Sequence, residues 1–184
     1  LSFRSTMQKD RIILASSSAV RKSLLSALHL PFEVIPAEID EKLIRDDDLK
    51  QRAEKIARAK AEKIVYEHEG IVIAGDTFVA LGKTVLEKPV DLDDARNMLR
   101  MQSGKQIDVL TGFCYIHRNR NIDFSTTVVI NVTIRELSDA EIETYILSAP
   151  VLTWSAAFSP AHLSGMALIA TLHGSLTGFA GMPV

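Results

Sequence analysis

The chain has 184 residues, a formal net charge of −2 and a single cysteine, a length that fits one domain with a real core. The near-neutral balance argues against a general nucleic-acid binder, which carries a basic surplus, but leaves room for a small anionic ligand held by a local cluster of cations. Cys114 alone excludes an intrachain disulfide and agrees with a reducing compartment, so a cytoplasmic location is expected. Residues 1–9 lack the apolar core of a signal peptide and are expected to be a weakly ordered extension ahead of a single domain, 10–184. The apolar run Ile12-Ile13-Leu14-Ala15 reads as a buried strand. Three serines follow, and Val20, Leu24, Leu25 and Leu28 then mark one face of a helix over 19–29. A strand feeding a hydroxyl-rich turn and a helix N-terminus gathers free N–H groups and the positive end of the helix dipole, which suits a phosphate. Arg21 in the first turn adds a cation with a forked donor geometry. A serine that only caps the helix is the plainer alternative, and the turn alone does not decide between them.

A strand over 32–36 and an acidic loop with Asp46, Asp47 and Asp48 come next. A long helix from 49 to 67 ends ahead of Gly70. Residues 71–81 read as a strand, with Gly82-Lys83 as a hairpin turn. Asp91 caps the following helix, which stops before Gly104. Two long strands, 106–117 and 122–135, flank a polar turn, and Ser138 with Glu141 forms a capping box for a helix over 139–148. Met166 to Leu172 reads as a final apolar strand. Alternating helices and strands early and hairpins late predict a mixed sheet in an α/β fold. From Ala149 to Val184 there is no Asp, Glu, Lys or Arg, yet polar residues interrupt every window of the ~20 apolar residues a spanning helix needs. No membrane span is expected. The segment reads as buried strands and tight loops, with a subunit contact, as in a homodimer, a further reading.

Two charged residues stand out against apolar surroundings. Lys60 lies four residues after Ile56 and four before Ile64, in the apolar stripe of the long helix. A cation there either snorkels out or meets an anion. Asp76 interrupts an apolar strand, so it binds a metal, accepts strong hydrogen bonds, faces a cleft, or is satisfied by local backbone at a strand end. Gly75 beside it lets another group come close. Glu41 after Asp40, and Lys88 before Pro89, carry no signal of their own beyond solvated surface. There is no Walker A loop, G-x-G-x-x-G, H-E-x-x-H or G-x-S-x-G, and the five histidines show no metal-ligand spacing. Trp154 reads as core or loop packing, with base stacking the alternative.

The wording of the chain adds a resemblance. Leu14-Ala15-Ser16, Ser18, Arg21 and Leu24-Leu25 resemble the opening motif L-A-S-x-S-P-R-R-x-x-L-L of the Maf family of nucleotide pyrophosphatases. Order and spacing agree onward through Ile39-Asp40-Glu41, Ala57-Arg58-Ala59-Lys60-Ala61, Ala74-Gly75-Asp76-Thr77, Leu86-Glu87-Lys88-Pro89, Leu110-Thr111-Gly112 and Gly181-Met182-Pro183. The resemblance implies an elongated mixed sheet flanked by helices, in two lobes with a central cleft (Maf/ITPase-like). It implies hydrolysis of a nucleoside triphosphate to the monophosphate and pyrophosphate. Asp76, Lys60 and Lys88 would be catalytic, and Ser16, Ser18, Arg21 and Thr77 would bind substrate. Glu41 and Asp76 would hold Mg²⁺ or another divalent cation, Asp40 being the weaker candidate. Val20 stands where many members carry an arginine, which leans toward a 7-methyl-GTP pyrophosphatase. Thr77 and Glu87-Lys88-Pro89 lean toward dTTP, UTP or modified nucleotides, and this side is favoured. Late in the chain, Thr153 to Ala161 departs from the usual D-K-A-G-A-Y-x-I-Q-G, with Trp154 in place of the lysine. That departure motivates a further reading as a catalytically weak nucleotide-binding regulator.

Overall fold

Three long strands organise the computed structural model, which describes residues 10–159 and 162–183. In chain order the elements are β1 (Ile12–Leu14), α1 (Ala19–Ala27), β2 (Glu33–Val34), α2 (Leu49–Glu67), β3 (Ile71–Leu81), β4 (Thr84–Leu86), α3 (Leu92–Gln102), β5 (Gln106–His117), β6 (Ile122–Ile134), α4 (Asp139–Ser148), α5 (Leu163–Met166), β7 (Ile169–His173) and α6 (Leu176–Phe179). The sheet runs β2-β1-β3-β5-β6-β7, with β4 on the free edge of β3. β1 is parallel to β2 and β3, and the remaining pairs are antiparallel. The mixed α/β fold is therefore the one expected. At ~3.3 Å per residue the 11 to 13 residues of β3, β5 and β6 span roughly 40 Å, which makes the sheet elongated.

Register assigns the two faces. Val72, Ala74, Asp76 and Phe78 of β3 point to one side, opposite Ile116, Cys114, Gly112 and Leu110 of β5. The long helix α2 lies on that side, packing Ala57, Ala61 and Ile64 on Val72, Ala74, Cys114 and Ile116. It comes closest at Gly112, where a Cβ would stand 2.0 Å from the Ala53 carbonyl oxygen. Glycine is required there by space, since any side chain would push the helix off the sheet. The other side carries two separate cores. One joins Leu14, Leu25, Phe113 and Met182 under α1. The larger joins Val79, Val109, Ile130, Leu99 and Ile142 under α3 and α4. Between them, at residues 75–77, Arg21 and Gly181 lie against the sheet in place of an apolar core.

Several ends follow from local chemistry. α1 stops at Ala27 rather than residue 29, because His29 takes a left-handed φ of 54° and turns the chain out. The strand expected over 32–36 is ladder-paired only at Glu33–Val34. The final strand is also shifted from the expected 166–172. Leu163–Met166 forms a short helix instead, with Gly165 so close to the Ser159 carbonyl that a Cβ would meet it at 2.0 Å. The strand then begins at Ile169, after Leu168 has been buried in the larger core. The uncharged C-terminal part closes on itself, since Val151, Ala156, Ala157, Phe158 and Phe179 join that same core. Among the described residues no helix is long and apolar enough to cross a membrane. The expectation for residues 1–9 falls outside the described residues.

The capping box at α4 forms as expected, with Ser138 and Glu141 bonding each other's backbone N–H. Hydrogen bonds from the Ser138 backbone, then from its hydroxyl, then from Arg135 pull the Glu141 carboxyl from 4.5 down to about 2. A carboxyl depressed in the folded state adds stability above its unfolded value and loses it as the pH falls toward the folded one. The Glu141→Gln variant is therefore expected to fall behind wild type in thermal midpoint at pH 7. The gap should close between pH 4.5 and about 2, read by circular dichroism melts across that range.

Candidate active site

The site is a gap in strand pairing. On the free edge of β3, β1 pairs only as far as Ile73, and β4 begins to pair only at Val79. Residues 74–78 are therefore bordered by neither strand. β1 runs into the gap from one end and releases Ser16, Ser17 and Ser18 there. β4, antiparallel to β3, runs in from the other end and releases Glu87 and Lys88. Side chains from both faces of β3 reach round this bare edge. The result is a cleft of about 1020 Å³ lined among others by Ser16, Arg21, Glu41, Lys60, Asp76 and Lys88. Loops beyond strand ends in an α/β sheet are the usual place for a ligand crevice.

On the α2 face, Lys60 Nζ lies 2.8 Å from Asp76 Oδ1 and 2.7 Å from Glu41 Oε1. Lys60 and Asp76 are buried and Glu41 is half exposed. The lysine therefore meets anions instead of snorkelling. Asp76 is held in mid-strand by an ammonium, not at a strand end by local backbone. The Lys60 bond falls on Oδ1, which leaves Asp76 Oδ2 without a protein partner among the described residues. Glu41 opens a single helical turn, Glu41–Leu43, whose N-cap is Asp40 accepting from the Lys42 N–H at 3.1 Å. Capping occupies Asp40, which explains why Glu41 and not Asp40 reaches Lys60. The turn fixes the direction of the pair.

On the opposite face, Arg21 is a hub. Its Nε donates to the Gly181 carbonyl at 2.8 Å, one terminal nitrogen to Ser16 Oγ at 3.0 Å, and the other to Thr77 Oγ1 at 2.9 Å. Thr111 spends its one hydroxyl proton on the Gly178 carbonyl at 2.8 Å, so the 3.0 Å contact with Thr77 runs from Thr77 to Thr111. Thr77 thus accepts from Arg21 and donates onward. Gly75 makes room for this, because a Cβ there would stand 3.1 Å from Arg21 Nε. Burial lowers the guanidinium pKa, and the charges of Asp76 and Glu41 act the other way. Ser16 Oγ also accepts from the Ser18 N–H, and Ser18 Oγ caps α1 at the Arg21 N–H. Ser18 is therefore both the cap and a lining residue, and the two readings of the serine turn are compatible.

A family profile described as Maf-like protein matches residues 11–184. The chain belongs to the Maf-like family. It is 36% identical over 177 residues to the dTTP/UTP pyrophosphatase of Anaeromyxobacter dehalogenans strain 2CP-C, covering 95% of this chain and 89% of that protein. It is 33% identical over 175 residues to the 7-methyl-GTP pyrophosphatase of Pseudomonas putida, covering 94% and 91%. The solved Ham1 protein of Staphylococcus aureus overlaps 67% of this chain and 71% of its own length, at 11% identity and a TM-score of 0.48.

In this Maf-like chain Ser16, Ser18, Arg21, Glu41, Lys60, Asp76, Thr77 and Lys88, the site residues expected from the sequence, all line this cleft. Lys88 is exposed there and makes no ion pair or hydrogen bond among the described residues, so its charge is free for a ligand. Arg52 was not anticipated. It is buried, stacks over the Phe78 ring at 5.3 Å, and lies 3.7 Å from Glu87. Spacing could have found it, since Arg52, Ile56, Lys60 and Ile64 recur every four residues along α2. Gly181 was noticed only as wording, and its part in holding Arg21 needs the fold. A smaller arm of about 210 Å³ opens from the cleft past Arg21, Thr77 and Lys88, and is walled by Val20, Val79, Val109, Trp154, Phe158 and Phe179.

Proposed function

We propose that this chain hydrolyses a nucleoside triphosphate to the monophosphate and pyrophosphate, with dTTP and UTP as its substrates. The observation that carries the reading is the cleft itself. It gathers free and paired cations around a carboxylate with one oxygen uncommitted, beside an apolar arm of a size for a base. Phosphoryl chemistry asks the protein for charge neutralisation and alignment more than for covalent steps. Lys88, Arg52 and the remaining donors of Arg21 take the phosphates, and Ser16 and Ser18 add hydroxyls. Asp76 accepts the proton of the attacking water at Oδ2, while Lys60 fixes its other oxygen. The water attacks the α-phosphorus, its bond to the bridging oxygen breaks, and pyrophosphate leaves carrying the electron pair.

The donor set suits Mg²⁺. Glu41 and Asp76 present hard oxygen ligands to the same ammonium, and two carboxylates are what Mg²⁺ takes when phosphates and waters complete its shell. Among the described residues no group of three or more such side chains forms a cage, which fits an ion that arrives with the nucleotide. Glu41 and Asp76 would hold it, and it would supply further charge neutralisation at the phosphates.

The apolar arm favours a neutral base. Its charged lining residues are Arg21 and Lys88, with no carboxylate among the described ones to pair with the positive ring of a 7-methylated guanine. Pyrophosphate release across dTTP, UTP, 7-methyl-GTP, dATP and dGTP, with Mg²⁺ and with chelator, tests the reading. Turnover of dTTP and UTP at least tenfold above the rest, lost with chelator, is the expected result. Binding without turnover of any of them would overturn it.

A further inference from the structure

The base subsite of this chain has a feature of its own. Val20 and Trp154 are 134 residues apart in sequence, and both replace a basic residue of the usual motif with an apolar one. Both line the same small arm of the cleft. We propose that Trp154 is the aromatic face on which the nucleobase lies, and that it determines base affinity. The inference rests on the pyrophosphatase reading and deepens it.

Three observations support it. Trp154 is neither fully buried nor free. Its ring packs on His162 at 5.3 Å between centroids, tilted by 49°, and His162 is itself held by Ser164 Oγ at 2.6 Å from Nδ1. A buttressed indole that also lines a cavity loses little freedom when a base stacks on it. The backbone that presents it is fixed as well. The Ala156 N–H donates to the Glu87 carbonyl at 3.0 Å, and its own carbonyl accepts from the Gln102 amide at 2.8 Å. Ala156 and Ala157 hold left-handed φ values of 59° and 55°, a conformation disfavoured for alanine. The turn is thus pinned next to Lys88, so a phosphate at Lys88 and a base at Trp154 fall within one ligand. Finally, Val20, Val79, Val109, Phe158 and Phe179 give the arm an apolar wall beside Trp154, which suits the flat face of a base.

The chain contains one tryptophan, so emission excited at wavelengths where its three tyrosines do not absorb reports on this ring alone. Wild-type protein is titrated with the non-hydrolysable α,β-methylene analogues of dTTP and UTP and with inorganic tripolyphosphate, in the presence of Mg²⁺, while calorimetry records binding independently. Both nucleotides are expected to quench the emission, and tripolyphosphate is expected to bind without quenching. Nucleotide binding by calorimetry with unchanged emission would overturn the proposal while leaving the pyrophosphatase reading intact. No binding of either nucleotide by calorimetry would overturn both. Steady-state kinetics gives a second readout. Loss of one base–aromatic stack raises KM by roughly 5- to 150-fold, so Trp154→Ala should do this with kcat within about threefold of wild type. Trp154→Phe should restore most of the KM. An unchanged KM in Trp154→Ala would sink the assignment, and a folded alanine variant is verified by its melt.

Discussion

Asp76→Asn is expected to lower pyrophosphate release by about 10² to 10⁴-fold while leaving the fold in place, the usual range for loss of a general base. The separation of the two effects follows from where Asp76 sits. Its Oδ1 accepts from Lys60 at 2.8 Å, and an amide oxygen in the same place still accepts. Lys60 keeps its ion pair with Glu41 at 2.7 Å, so no charge is left buried and unpaired. The strand keeps its pairing with β5 at Gly112. Stability should therefore change by no more than about 1 to 2 kcal/mol, which a urea midpoint resolves. What is lost is the uncommitted oxygen, which becomes an NH₂ that can neither take a proton from water nor ligate a cation. A variant turning over within tenfold of wild type would remove Asp76 from the chemistry and return the role to Glu41.

The parts of this molecule that were legible in sequence are the ones whose cause is local. α2 and α4 begin and end where their caps predict, and β3 and β5 have the predicted bounds, because each is long and strongly patterned. The side chains that the resemblance singled out line one cleft. What the sequence did not show is why they meet. The edge gap between Ile73 and Val79 exists only once β1, β3 and β4 are in register, and register is set by non-local pairing. The same holds for Gly181, which reaches Arg21 across 160 residues. Arg52 was hidden differently. Attention to apolar periodicity passes over a charged residue on the buried stripe, although its four-residue spacing from Ile56 and Lys60 is plain. The final strand was placed three residues early because Met166-Ala167-Leu168 is apolar enough to extend it, whereas Met166 closes a short helix that packs tightly at Gly165 and Leu168 enters the larger core.

Lys60→Met is expected to have the largest combined effect, because the ammonium holds together what would otherwise repel. Its Nζ is within 2.8 Å of one oxygen from each of two acids. Methionine fills the same volume and removes the charge, so Glu41 and Asp76 then face each other with nothing between them. Glu41 is half exposed and can swing toward water, whereas Asp76 is fixed in mid-strand under α2 and cannot. Removing one partner of a buried pair costs about 3 to 5 kcal/mol, and the freedom of Glu41 places this variant toward the lower figure. The penalty belongs to the charged carboxylate. Adding Asp76→Asn to Lys60→Met should therefore recover most of it, read as urea midpoints of the single and double variants. Turnover should fall by at least 10²-fold in the folded variant, since Asp76 loses the contact that orients it. A midpoint gap that Asp76→Asn leaves unchanged would mean that Lys60 contributes packing alone. The ion-pair geometry would then have no part in positioning the base.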